Sequence, residues 1–87
     1  MNYKLIDLSS VTTRDELFEA FEDGLDLPVY FGKNLDALHD MLSHTDMILE
    51  ICGEKALRDA LGGYADALLE MLRDTEAESK NFKVIIR

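Results

Sequence analysis

The sequence predicts an α/β fold, a small three-stranded parallel β-sheet packed with about four helices, and three observations predict it. Short apolar runs with strand character stand at the start, the middle and the end of the 87 residues. Two helical patterns lie between each run and the next. Connections of that length and content suit parallel strands joined by right-handed crossovers, not hairpins.

The first run is Tyr3 to Leu8, YKLIDL, in which Tyr3, Leu5 and Asp7 point one way while Ile6 and Leu8 point the other. Thr13-Arg14-Asp15-Glu16 then matches a capping box, where a threonine oxygen and a glutamate three residues on satisfy backbone donors at a helix start. The helix is predicted from Arg14 to Asp23, with Leu17, Phe18 and Phe21 on its buried face. Gly24 would end it in the left-handed conformation. Pro28, Tyr30, Phe31 and Gly32 form a loop. Asn34 is a good N-cap for a second helix ending near Ser43, whose Leu35, Leu38, Met41 and Leu42 recur at helical spacing.

Met47 to Cys52, MILEIC, is too short and too apolar for a surface helix and reads as a buried strand. Glu54 to Leu61 reads as a short helix, Gly62-Gly63 as a break, and Tyr64 to Glu78 as a longer helix. Leu61, Ala65, Leu68 and Leu72 supply the inner stripe. Phe82 to Ile86, FKVII, rich in β-branched residues, is the third strand. No internal repeat or linker divides the chain, and its length allows one modest core, so residues 1–87 are expected to form one domain.

Composition narrows the function. There are 18 acidic against 9 basic side chains, a net charge of −9, and 47% hydrophobic residues. That apolar fraction argues against disorder. The charge repels nucleic-acid phosphates and anionic lipid headgroups and attracts a cationic partner, so neither direct nucleic-acid binding nor membrane binding is expected. Cys52 is the only cysteine, which excludes an intrachain disulfide and suits a reducing compartment. The first twenty residues lack the apolar segment of a signal peptide, and no run approaches the ~20 residues that span a bilayer. A cytoplasmic protein is expected.

On a helix that advances about 100° per residue, the leucine stripe leaves Asp36, His39, Asp40 and Ser43 on or near the opposite side. Asp36 is a first-turn carboxylate favoured by the helix dipole. Asp40 lies beyond that turn and is i,i+4 from Asp36, where like charges repel. Solubility alone can account for a charged face, yet this one costs helix stability. Of Tyr30 and Phe31, one is expected to close over the core and the other to remain near the surface beside the two aspartates. The last helix carries Asp66, Glu70, Asp74 and Glu78 at successive i,i+4 positions, an anionic strip suited to a basic partner. Asp36, His39, Asp40 and His44 also have spacings usable for acid–base or metal chemistry. No cysteine cluster, HExxH, glycine-rich phosphate loop or GxSxG turn supports them. No catalytic residue, metal or cofactor is assigned.

The stretch LPVYFGKNLDALHDML, Leu27 to Leu42, resembles the barstar family, the intracellular inhibitors of barnase-like secreted ribonucleases, in which a proline-aromatic-glycine loop precedes an N-L-D-A-L helix. The resemblance extends at the level of pattern over the whole chain. It implies a barstar-like fold and an inhibitor, not an enzyme, whose loop and second helix plug a ribonuclease active site while helix aspartates occupy the positions of substrate phosphates. Carried over by motif position, the partner-binding residues would be Tyr30, Phe31, Gly32, Asn34, Asp36, His39, Asp40 and Asp74, with Asp40 central. The implied partner is a basic extracellular ribonuclease or related toxin, and the free chain is expected to be a monomer. An acidic immunity module with the same fold and a non-ribonuclease target is the alternative. This chain departs from the family in four places. His39 stands where the family often has tryptophan, Phe31 replaces a tyrosine, Lys33 is basic, and the connection from Ser43 to Met47 is short.

Overall fold

The computed structural model describes residues 2–27 and 32–87. Pro28, Tyr30 and Phe31 of the aromatic loop lie outside the described residues. The elements follow in the predicted order: β1 (Asn2–Asp7), α1 (Arg14–Leu25), α2 (Leu35–Ser43), β2 (Met47–Cys52), α3 (Glu54–Leu61), α4 (Gly63–Glu78) and β3 (Phe82–Ile86). The sheet runs β1-β2-β3, and both pairings are parallel, with Asn2 opposite Met47 and Met47 opposite Phe82. No helix among the described residues is long and apolar enough to cross a membrane.

Alternation along the strands decides which face of the sheet meets the helices. Ile6, Leu49, Ile51, Phe82 and Val84 are buried together with Leu17, Phe18 and Phe21 of α1, Leu38 and Leu42 of α2, Leu57 of α3, and Ala65, Leu68 and Leu72 of α4. The alternate residues Tyr3, Leu5, Lys83 and Ile85 are exposed, so the helices cover one face and leave the other open. Parallel sheets are usually covered on both faces. Here the open face is stitched by a charge: Glu50, in the middle strand between Leu5 and Ile85, is only 8% exposed. Its carboxylate accepts a hydrogen bond from the Tyr3 hydroxyl on one side and from Arg87 Nε at 2.9 Å on the other. A buried carboxylate without such partners would be strongly destabilising.

The ends of α1 show two differences from the sequence expectation, and α4 begins at Gly63, inside the expected Gly62-Gly63 break. At α1, Thr13 accepts from the Glu16 amide at 3.1 Å as predicted. The Glu16 carboxylate, however, reaches past the cap to the amide and hydroxyl of Thr12, at 2.8 and 2.7 Å, and those bonds hold its pKa below the ordinary carboxylate range. At the other end, Gly24 does not stop the helix. The helix continues through it to Leu25, and Asp26 takes the left-handed conformation at φ 53°. The reason for glycine is close approach: a Cβ at position 24 would lie 2.9 Å from Ile6 Cγ1, so the small residue lets α1 settle on β1. Farther along, the edge of Tyr64 in α4 meets the ring of Phe18, and the Arg14 guanidinium lies 4.0 Å above the Tyr64 ring, which ties α1 to α4.

The ends of all three strands converge before α3. The Leu8 amide donates to Cys52 O at 2.9 Å, the Arg87 amide donates to Ile51 O at 2.8 Å, and the Glu54 amide donates to Arg87 O at 2.9 Å. Gly53 sits in this knot at φ 89°, and a Cβ there would meet the Ser9 amide nitrogen at 2.5 Å. Gly53→Ala combines backbone strain with a backbone clash and should destabilise the fold by about 2–4 kcal/mol. Gly63→Ala, at an open helical position, should leave stability unchanged or improve it by up to ~1 kcal/mol. Equal denaturant midpoints for the two variants would contradict this account of Gly53.

Tyr3 gives a second test. Its hydrogen bond to Glu50, with loss of solvent and the Glu50 charge adding to it, holds the phenol above its ordinary value of 10.0. The folded chain therefore keeps this proton more tightly than the unfolded chain. The resulting stability is complete below about pH 10 and is lost as pH rises through the folded value. Tyr3→Phe should flatten the alkaline fall of the unfolding midpoint relative to the parent, and parallel curves would count against the Tyr3–Glu50 bond.

Candidate protein-binding face

The face is built on α2, and Asn34 sets where that helix begins. Asn34 has extended backbone angles, φ −150° and ψ 165°, and its Oδ1 accepts from the Ala37 amide at 2.7 Å. Its own amide donates to Gly32 O at 2.8 Å, which fixes the chain entering the helix. Rotation is set by Leu38 and Leu42, both fully buried, with Leu35, Ala37 and Met41 packed beside them. Asp36 and Asp40 are therefore turned to solvent, and both are exposed.

His39 departs from the simple expectation of a solvated side chain, because α4 packs alongside α2. Its Nε2 lies 3.0 Å from Glu78 Oε2 on α4. A carboxylate of this kind accepts only, so Nε2 carries the hydrogen and donates it. The hydroxyl of Ser79 reaches Ser43 O at 3.5 Å, a second link between the ends of the two helices. At the C-cap of α2, His44 Nε2 stands 3.6 Å from Asp40 Oδ1, and both side chains are 78% exposed.

The predicted strip on α4 divides. Successive i,i+4 steps drift around a helix by about 40°, and the two ends of the strip are engaged by different neighbours. Asp66 accepts from Arg58 of α3, while Glu78 meets His39 of α2. Glu70 and Asp74 are exposed between them and take part in no ion pair among the described residues. Glu76 turns inward, where its carboxylate accepts from the Val84 amide at 2.9 Å. Lys33 is directed back to Glu22 of α1, 3.8 Å away, which places its charge on an acid of another helix.

The structure thus brings together Asp36, His39 and Asp40, with Asn34 as the cap that aims them. It leaves Asp74 one turn before Glu78 on the adjoining helix. Tyr30 and Phe31 lie outside the described residues. The sequence reading has Glu78 in the acidic strip and His44 in the acid–base set, and names neither among the partner-binding residues. Glu78 was legible as the last step of the acidic strip, and His44 as the i+4 neighbour of Asp40. The packing of α2 on α4, which joins Glu78 to the face, is a tertiary fact with no local signal. The carboxylates and imidazoles meet in pairs, and among the described residues no three His, Cys, Asp or Glu side chains group as metal ligands. An open groove of about 330 Å³ lies elsewhere, among Glu54, Arg58, Asp66, Leu69, Glu70, Arg73 and Ile86. Arg58 bridges Glu54 and Asp66 across it.

The chain matches known proteins along nearly its whole length. The family model described as "Barstar (barnase inhibitor)" matches residues 1–87. A protein of Bacillus subtilis (strain 168) named "Putative ribonuclease inhibitor YrdF" is 35% identical over 86 residues, covering 94% of this chain and 94% of its own length.

Because one side-chain oxygen caps α2, Asn34→Ala should lower stability by about 1 kcal/mol, whereas Asn34→Asp should retain most of it. Urea unfolding of the two variants beside the parent measures the difference. An alanine variant as stable as the parent would show that the cap does not hold the helix.

Proposed function

The chain belongs to the barstar family, and from that premise we propose that it binds a basic secreted ribonuclease and blocks the enzyme's active site by occlusion. One observation carries the reading: Asp36 and Asp40 project to solvent from a helix whose start and rotation are both fixed. Two carboxylates held in this way present negative charge at a set spacing, as consecutive phosphates of an RNA substrate do. A ribonuclease gathers cationic groups to hold those phosphates. The helix offers them a substitute that has no bond to cleave, and the net charge of −9 steers the two proteins together.

In this mechanism α2 enters the cleft and Asp40 lies at its centre. Asp74 and Glu78 of α4 add charge at the margin, and the loop containing Tyr30 and Phe31 supplies apolar contact. The inhibitor transfers no group and releases unchanged. The affinity comes from desolvated charge pairs, which are strong only where geometry is set beforehand.

Replacing Asp40 should separate binding from folding. Asp40 makes no core contact, and its pairing with His44 is exposed, so Asp40→Ala should change stability by no more than about 0.5–1 kcal/mol. Binding should weaken by on the order of 2–5 kcal/mol, the range given by buried charge pairs at interfaces, the barnase–barstar interface being among those that define it. Glu19→Ala, an exposed acid on α1, is the control and should bind like the parent. Titration against a panel of basic ribonucleases, read as RNA hydrolysis, decides the matter. No inhibition by stoichiometric protein across the panel would favour the immunity-module alternative with another target, and equal affinity for the two variants would remove Asp40 from the interface.

A further inference from the structure

The chain has two histidines, and both belong to α2 and its cap. Each has Nε2 against a carboxylate of the acidic face: His39 at 3.0 Å from Glu78, and His44 at 3.6 Å from Asp40. We propose that these two imidazoles make the hold of this face on a cationic partner proton-linked, so that a complex formed at neutral pH loosens in mild acid. The inference rests on the binding role proposed above for the same face.

Proton and partner compete for the same carboxylates. A neutral imidazole at His39 donates a hydrogen bond to Glu78 and leaves the carboxylate its charge. An added proton turns His39 and His44 into cations already seated on Glu78 and Asp40, where a partner's lysine or arginine would have to bind. The remaining charged surroundings do not offset this. His39 has Asp36 and Asp40 on its own helix and Glu78 and Asp74 on α4. His44 has Asp40 on its helix and Asp46 in the turn leading to β2. Of the cations on or beyond the last turns of α4, Arg73 is engaged by Glu76, and Lys80 follows the helix end. Lys33 is held by Glu22. Protonating both histidines changes only two of the nine net negative charges of the chain. On the face itself, two cations are set against the four carboxylates Asp36, Asp40, Asp74 and Glu78.

The sign follows from linkage. A cationic partner favours the neutral imidazoles, so binding releases protons. Affinity is then full above the histidine range and falls as pH drops through it. Histidine is the side chain whose ordinary titration lies between about pH 5 and 8. Each histidine that must be neutral in the complex can take roughly tenfold in Kd per pH unit below its titration.

The test compares the parent with the double variant His39→Gln/His44→Gln, since glutamine keeps a hydrogen-bond donor and cannot titrate. Affinity for a basic ribonuclease that binds at about pH 8 is measured there and at about pH 5.5, by calorimetry in two buffers of different ionisation enthalpy. Each protein is referred to its own value at the higher pH, so titration of the ribonuclease is common to both arms. The parent should lose on the order of tenfold more affinity than the variant and should release protons that the variant does not. Parallel pH profiles, or tighter binding in acid, would overturn the proposal. If no ribonuclease binds at the higher pH, the proposed function fails and the linkage is read with a hexa-arginine peptide instead. Weaker acid binding of the peptide by the parent alone upholds the linkage, and equal profiles overturn it.

Discussion

The seating of α2 governs the rest of the molecule. A helix of nine residues is too short to persist alone in water, because the cost of nucleating it is spread over few hydrogen bonds. What holds it is the burial of Leu38 and Leu42, each worth about 1.5–3 kcal/mol when removed from water, and the Asn34 cap. The same two leucines admit only one rotation. Turning the helix by a single residue, about 100°, would drive His39 toward the core and lift Leu38 out of it. The aim of Asp36 and Asp40 is therefore a by-product of core formation.

Where the negative potential collects depends as much on the cations as on the acids. Arg58 bridges Glu54 and Asp66, Lys55 meets Asp59, Arg73 meets Glu76, Arg87 meets Glu50 and Lys33 meets Glu22. Arg14 lies on the ring of Tyr64. Apart from the pair at Glu50, these are exposed and add little to stability. They do assign most of the positive charge to places other than Asp36, Asp40 and Asp74, so the field near α2 is shaped by what its neighbours have already neutralised.

The order of elements could be read from the chain, and their boundaries to within a residue or two, because each has a local signature. Examples are the alternation in YKLIDL, the threonine and asparagine caps, and leucines at helical spacing. The rotation of α2 was legible for the same reason, and with it the exposure of Asp36 and Asp40. What could not be read depended on a second segment. Gly24 has the form of a helix stop, yet it is glycine because Ile6 lies against it. Glu50 looks like a polar residue interrupting a buried strand. Its place is explained only when Tyr3 and Arg87 arrive from the two flanking strands. His39 has the spacing of a solvated residue, and only the packing of α4 shows Glu78 beside it.

The parallel sheet bears on when the acidic face comes into being. Neither strand pairing is local, since β2 joins β1 from the opening residues and β3 from the closing ones. Such pairings are slow to form because a long loop must close before any contact rewards it. As the chain leaves the ribosome, α2 appears early, but the helix that flanks it and the strand that completes the sheet emerge only afterwards. An isolated α2 has no reason to be helical, and its carboxylates then have no fixed spacing. A nascent chain thus carries Asp36 and Asp40 without the geometry that aims them. The sheet against which the helices pack is complete only when Phe82–Ile86 pairs with β2.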